Sequence, residues 1–452
     1  MLLLTIIRRT WARWRPRAGS GLSRPKRRPR AGPRRSAVRG LVLVRRGWWV
    51  LLPALALLLV LIVRFSGPGS MHAFSGEAKA RLEVHSYANL DQAAYRLRYP
   101  AMAGLLVRGH VIPGLHANFV PQGVDFLPDE SNRAVISGYF CQRFDRAPLR
   151  WGLISLCGKK QSALYLVDLD DGKALRLAML EERDGTPMRR HAGGIAVLHE
   201  RLWLPDNFEL LRFDLSRLLK AWTKVITLRP ENKTRIGVDS SGDFITARGD
   251  TLWVGNFQRA DRGAPLPPHY QSLGVGTAGW TAAYRIDRET LRPVNEQTYT
   301  VNWSGRDFEV YRPDAALHHR NLVQGMTFID ERRIVLSTSW GNRASGLSFH
   351  RLSSDPLKPP GDEVPTVTLP DGSTIPVWPM LPATLEMQIA APPGAEGVTF
   401  DGQLLLSVFE GGALPYRERW NDLEDRMVMY QPPGVTLRDT PLVPLVAPKA
   451  SQ

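Results

Sequence analysis

Self-similarity constrains this chain more than any other feature. Five stretches share one grammar: a glycine before an alternating apolar segment, a short polar turn, then a second apolar segment ending in a small or polar residue. They are QGVDFLPDESNRAVISGYF from Gln122, GGIAVLHERLWLPDNF from Gly193, GDFITARGDTLWVGNF from Gly242, QGMTFIDERRIVLSTSWG from Gln324 and EGVTFDGQLLLSVFEGG from Glu396. Period-two alternation marks both segments of each unit as strands. A third strand follows in every case: ALYLVDLDDGK, ELLRFDLSRL, AAYRIDRETL, GLSFHRLSSD and RMVMYQPPG. Aligned on glycines 123, 194, 242, 325 and 397, the units recur at intervals of 71, 48, 83 and 72 residues. Units of this size and strand content predict propeller blades. A blade cannot bury both faces alone, so neighbours stack radially and the ring closes. The predicted fold is all-β, a five- or six-bladed β-propeller preceded by a single N-terminal transmembrane helix. Residues 78–120 supply either a degenerate sixth blade or the strand that closes the last one.

Charge is concentrated at one end. Residues 1–46 carry fifteen Lys and Arg and no Asp or Glu, so almost all of the net charge of +16 resides there. A nucleic-acid-binding body would spread basic residues over a folded face, interleaved with aromatics; residues 47–452 have no such excess, which argues against that partner. Directly after the basic tail, GWWVLLPALALLLVLIV from Gly47 to Val63 has no charged residue and is bounded by Arg45, Arg46 and Arg64. At about 1.5 Å per residue it approaches the hydrocarbon thickness of a bilayer, and flanking arginines snorkel across the difference. The positive-inside rule leaves the amino terminus cytoplasmic and the body in the periplasm or extracellular space. The expected organisation is a disordered tail over 1–46, a membrane span over 47–64, a juxtamembrane linker over 65–95 and the propeller over 96–452.

The glycine-led strands, the pairs LWLPDN and LWVGN, and the element AEGVTF with a second carboxylate at Glu410 resemble six-bladed propellers of the gluconolactonase and strictosidine-synthase-like superfamily, and more nearly exported bacterial propeller proteins of that kind, over residues 115–435. Calcium-dependent lactonases of that superfamily hold the metal with a Glu, one or two Asn and an Asp. The resemblance therefore implies Ca²⁺ held by Glu396 with Asn207 and Asn256. No Asp clearly completes this set, since LSTSWGN in the fourth unit offers Thr338 and Asn342.

In a propeller the first strand of each blade lines the axis, so residues beside the repeated glycine should converge there: Gln122, His191 with Gly193, Asp243, Gln324 and Glu396. Two carboxylates, Glu396 and Asp243, with amide oxygens suit a hard cation; the same groups also suit a water-filled channel. Catalytic candidates are Glu396, Glu410 and His191. Glu410 either approaches Glu396 as an acid/base pair or forms a salt bridge with Arg417 or Arg419. His191 serves as a general base or caps a strand. His318 and His319 lack a third ligand at metal spacing. GVGTAG from Gly274 precedes a strand where a dinucleotide site needs a helix. Cys141 and Cys157 fall between the second and third strands of the first unit and read as a disulfide in an oxidising compartment. Two functions follow: a propeller that binds a small-molecule or protein ligand, held at the lipid bilayer, and alternatively a calcium-dependent lactonase or esterase-type hydrolase.

Overall fold

The computed structural model describes residues 81–84 and 97–436, apart from 129, 150–151, 260–266, 272–276, 362, 381 and 418–422. The basic tail, the apolar run and most of the linker lie outside the described residues. Among the described residues no helix is long and apolar enough to cross a membrane.

A short helix α1 (Pro100–Leu105) leads into strand β1 (Leu106–Val111). Blade one then comprises β2 (Phe119–Leu127), β3 (Glu130–Leu149), β4 (Gly152–Asp168) and β5 (Ala174–Leu180). Blade two has three strands, β6 (Ala196–Leu198), β7 (Arg201–Asp206) and β8 (Glu209–Asp214). Helix α2 (Leu215–Leu219) follows, and β9 (Val225–Leu228) crosses to pair in parallel with β5 of blade one. Blade three contains β10 (Phe244–Arg248), β11 (Thr251–Gly255) and β12 (Gly279–Arg285), then a hairpin of β13 (Thr298–Trp303) and β14 (Arg306–Tyr311), then β15 (Ala315–His319). Blade four starts with β16 (Val323–Phe328), β17 (Arg333–Thr338) and β18 (Ser345–Arg351). Its Pro-rich insert sends β19 (Thr366–Thr368) and β20 (Thr374–Pro379) to the edge of blade three before β21 (Leu385–Ala391) completes blade four. Blade five is β22 (Ala395–Phe400), β23 (Leu405–Phe409) and, after helix α3 (Leu414–Arg417), β24 (Arg426–Tyr430).

The innermost strands touch in a closed cycle, β2 to β6, β10, β16, β22 and back to β2. There are therefore five blades, and the six-bladed alternative is corrected. Residues 106–111 do not start a sixth blade. They form β1, which pairs antiparallel with β24 and completes blade five from the opposite end of the chain.

Each apolar core lies between two blades, which explains why the strands are apolar on both faces. On β7, Leu202 and Leu204 face blade one while Trp203 faces blade three. On β17, Ile334 and Leu336 face blade three and Val335 faces blade five. Period-two alternation thus divides each strand between two interfaces.

Near the axis the inner strands approach backbone to backbone. A Cβ on Gly123 would lie 2.6 Å from the Gly194 Cα, and one on Gly397 would lie 2.8 Å from the Gly123 Cα. The neighbour of Gly194 on blade three is Phe244, not Gly242: a Cβ on Gly194 would lie 2.9 Å from the Phe244 Cα. This shifts the third unit's alignment by two residues and places Asp243 level with Gln122, Gln324 and Glu396. The space enclosed at this ring is about 10 Å³, at the lower limit for one water molecule. The axis is plugged at this level by the backbone of the inner strands.

Candidate functional site

Inner strands begin, and second strands end, on the same edge of each blade, so residues from these positions share one face of the ring. Blade five contributes Glu396 from the start of β22 and Glu410 just beyond β23. Both carboxyls are pushed up from their ordinary range, Glu396 well above it and Glu410 to about 7. Burial is the leading cause for each, and for Glu396 the Glu410 charge comes next. A buried carboxyl and a half-buried one that repel one another keep a proton at neutral pH. Gln122 of blade one donates from Nε2 to Glu410 Oε2 at 3.2 Å, and Gln324 of blade four donates from Nε2 to Glu396 Oε1 at 3.2 Å. Ser339, just past β17, donates to Glu396 Oε1 at 3.4 Å. Asp243 adds a further negative charge that raises Glu396; its own Oδ2 accepts from the Phe257 amide at 2.8 Å.

The other flank of the pair is built from residues that carry no sequence motif. Tyr416 on α3 hydrogen-bonds Glu410 and also Tyr139 of β3. Lys160 of β4 lies 4.2 Å over the Tyr139 ring and 2.9 Å from His191 Nδ1. His191 therefore faces Lys160 rather than capping a strand. Desolvation and the neighbouring Lys160 ammonium hold its imidazole below the ordinary range, although the residue is exposed at the surface of the face. A positional signal exists only for a different set, the residue just outside the second strand of a blade: Asn207, Asn256, Ser339 and Glu410.

Beside His191 and Asp243 opens a cleft of about 640 Å³ whose walls include Asp206, Asn207 and Arg235. Arg190 on its floor bridges Glu182 at 3.0 Å and Asp206 at 3.3 Å. The structure thus brings together Gln122, Gln324, Glu396 and Glu410, and gathers His191, Asn207 and Asp243 around the adjoining cleft.

Of the four residues read as calcium donors, Asn207 and Asp243 line the same cleft and Asp243 acts on Glu396, whereas Asn256 has both polar atoms of its side chain bonded within blade three. Asn256 is fully buried, and its Oδ1 accepts the Trp280 amide at 2.6 Å while its Nδ2 faces Ala278 O at 3.3 Å. Asn207 sits with Phe208 in the β7–β8 turn, at φ 55° and 62°. Asn tolerates that left-handed conformation, so it is placed there by the turn. Among the described residues no group of three or more His, Cys, Asp or Glu is arranged to hold a metal. His318 and His319 are buried on β15, His318 bonding Tyr270 O at 2.8 Å and His319 bonding Thr281 Oγ1 at 2.9 Å. The Glu410 charge raises Glu396, which sets the two carboxyls near one another; Arg419 lies outside the described residues. Gly279 of GVGTAG opens a strand.

Cys141 and Cys157 form the expected disulfide, with Cα atoms 5.4 Å apart. The intervening segment is not a loop. β3 and β4 continue pairing as far as Leu149 opposite Gly152, making a ribbon that extends beyond the blade.

No family model matches the chain, and no curated sequence matches it. Among solved structures, the chain is similar to glutaminyl cyclase from Myxococcus xanthus, at 9% identity and a TM-score of 0.34, over 72% of this chain and 94% of that one. It is also similar to the PQQ-bound aldose sugar dehydrogenase from Streptomyces coelicolor, at 16% identity and 0.36, over 72% and 96%. A third likeness is to BamB from Moraxella catarrhalis, at 10% identity and 0.26, over 74% and 99%. The propeller assignment rests on the closed cycle of five sheets.

Proposed function

We propose that this is a ligand-binding propeller whose recognition face is the one where Gln122, His191, Asp243, Gln324 and Glu396 open. The observation that carries the reading is the meeting of polar side chains from several blades around one carboxyl pair, Glu396 buried and Glu410 half-buried, at the axis and beside a 640 Å³ cleft. Concave sites with a few convergent polar groups and shifted acids are where ligands bind. The Cys141–Cys157 bridge supports an oxidising compartment, in keeping with a body displayed outside the cytoplasm by a span over 47–64.

A second reading, hydrolysis, is favoured by the Glu396–Glu410 pair itself. A proton retained by one carboxyl lets that group act as acid while its partner acts as base. Tyr416 and Gln122 orient Glu410; Ser339 and Gln324 orient Glu396.

The test is a screen of sugars, lactones and aryl esters by thermal shift on the full-length chain in detergent, with turnover followed in parallel. A ligand that stabilises the wild type but not Asp243→Ala or Gln324→Ala supports recognition at this face. Turnover of a lactone or aryl ester that disappears in Glu410→Gln and in Glu396→Gln supports hydrolysis. Ligand shifts unaffected by all four substitutions overturn both readings.

A further inference from the structure

The loop between α2 and β9 carries a tryptophan that the fold leaves wholly in solvent. Trp222 is 102% exposed, as open as in an extended chain. Arg217, Lys220 and Lys224 around it are exposed as well. Among the described residues none of these three cations has an ion-pair partner, and residues 215–228 contain no Asp or Glu. The acids of the β4–β5 turn, on the same face of the ring, have cations of their own: Arg108 lies 3.4 Å from Asp170, and Lys173 pairs with Asp171.

The loop is held in place. Leu215 and Leu218 of α2 are buried in the core between blades one and two. Arg176 of β5 donates from Nε and Nη2 to the Ala221 carbonyl at 3.1 and 2.8 Å, and the Leu177 amide donates to the Lys224 carbonyl at 2.8 Å. The chain is therefore pinned to blade one on both sides of Trp222, and the indole projects from a fixed turn. A single exposed apolar side chain is ordinary on a protein surface. An ordered indole among three unpaired cations is the pattern of a bilayer interface, where the ring lies at headgroup level and Lys and Arg meet lipid phosphates. The topology also sets which way this loop faces. β8 leaves the β7–β8 turn on the face where the candidate site opens and runs antiparallel to β7 toward the other face, so α2 and Trp222 lie opposite Glu396 and Glu410.

We propose that this loop docks the propeller on an anionic lipid surface, with Trp222 in the headgroup layer and Arg217, Lys220 and Lys224 on lipid phosphates. A bilayer is also the surface that the apolar run from Gly47 to Val63 would keep near the body. With this face on lipid, the recognition face points away from it and stays open to ligands. The assignment does not rest on what that face binds.

A fluorophore that reports polarity, attached to Thr223→Cys in the full-length chain, tests it; Thr223 is exposed beside the indole, and the two native cysteines are already bridged. In vesicles of phosphatidylcholine with phosphatidylglycerol the emission should shift to the blue relative to uncharged detergent, and salt should reverse the shift. Vesicles of phosphatidylcholine alone should leave it near the detergent value. Lys220→Gln and Lys224→Gln should each raise the anionic lipid needed for half the shift by about fivefold, and Trp222→Ala should abolish the shift. Asp243→Ala should leave it unchanged, so a failed recognition reading stays distinguishable from a failed lipid contact. The proposal is overturned if emission is the same in detergent and in both vesicles, if phosphatidylcholine alone gives the full shift, or if the lysine and tryptophan variants respond as the wild type does. A blue shift in detergent that grows with protein concentration also overturns it, because a second copy of the chain then covers the loop.

Discussion

Glu410 illustrates how much a single side chain's surroundings decide. In the unfolded chain its carboxyl titrates near 4.5, whereas burial in the fold raises it to about 7. The folded state therefore holds this proton more tightly, and the group's contribution to stability is fully present below about pH 4.5 and lost as pH rises through about 7. Glutamine copies the neutral form and can still accept from Gln122. Glu410→Gln should match the wild type near pH 4.5 and exceed it increasingly toward pH 8, by up to on the order of 3 kcal/mol. Denaturant melts of both proteins at half-unit pH steps check this; a difference that stays constant over the whole range would show that Glu410 is not a proton-retaining group. Glu396 was legible in the sequence, since it precedes a repeated glycine. Its pairing with Glu410 was left open because sequence spacing gives no distance between strand ends. Lys160, Tyr139 and Tyr416 were not legible, because nothing in their local sequence distinguishes them from any other strand-edge residue.

At the scale of strands, the repeated glycine proves to be a packing requirement and not a mark of chemistry. Gly123 carries no positive φ; what excludes a side chain is the backbone of blade two, with the Gly194 Cα and carbonyl carbon 2.6 and 2.8 Å from an added Cβ. Backbone in a closed ring has little room to withdraw, so Gly123→Ala should cost about 1–3 kcal/mol or more. Gly305 supplies the contrast: it has a φ of 76° and no atom within 4 Å of an added Cβ. There an alanine meets only left-handed backbone strain, about 1 kcal/mol. Urea melts of the two variants should rank Gly123→Ala as clearly the less stable, and the reverse order would refute the account of the plugged axis. The same packing explains the one register error in the repeat. Blade three places Phe244 where the other four blades have glycine, and the nearby Gly242, at φ 72°, is a turn residue that imitates the motif two positions early. Outer strands were less legible than inner ones, since β9 and β20 pair in parallel with the edge of a blade other than the one whose repeat they follow.

For the molecule as a whole, five interblade cores make each blade depend on both neighbours, and closure rests on a strand from outside the repeat. The repeat was readable because every central strand is apolar on two faces; the closing strand was readable only as one of two alternatives for residues 78–120, because LVRGHV is half-buried throughout and resembles no repeat unit. Yet β1 pairs with β24 from Leu106 opposite Tyr430 to Val111 opposite Arg426. Without it, β24 becomes an open edge, and Met102 and Tyr99 leave the core between blades four and five. A chain starting at Leu97 should unfold in one cooperative transition, whereas a chain starting at Ile112 should lose on the order of 3 kcal/mol from ladder hydrogen bonds alone. The loss should appear first at blade five, as rapid amide exchange in Arg426–Tyr430 and then in Leu405–Phe409, while blades two and three stay protected. That order follows from the ring: the blade relieved of its closing strand keeps only one intact flank of sequence, and the separation of blade five from blade one parts Gln122 from Glu410 and Tyr139 from Tyr416. Equal melting temperatures for the two chains, with equal protection in β24, would mean that the ring is held by its interblade cores without the closing strand.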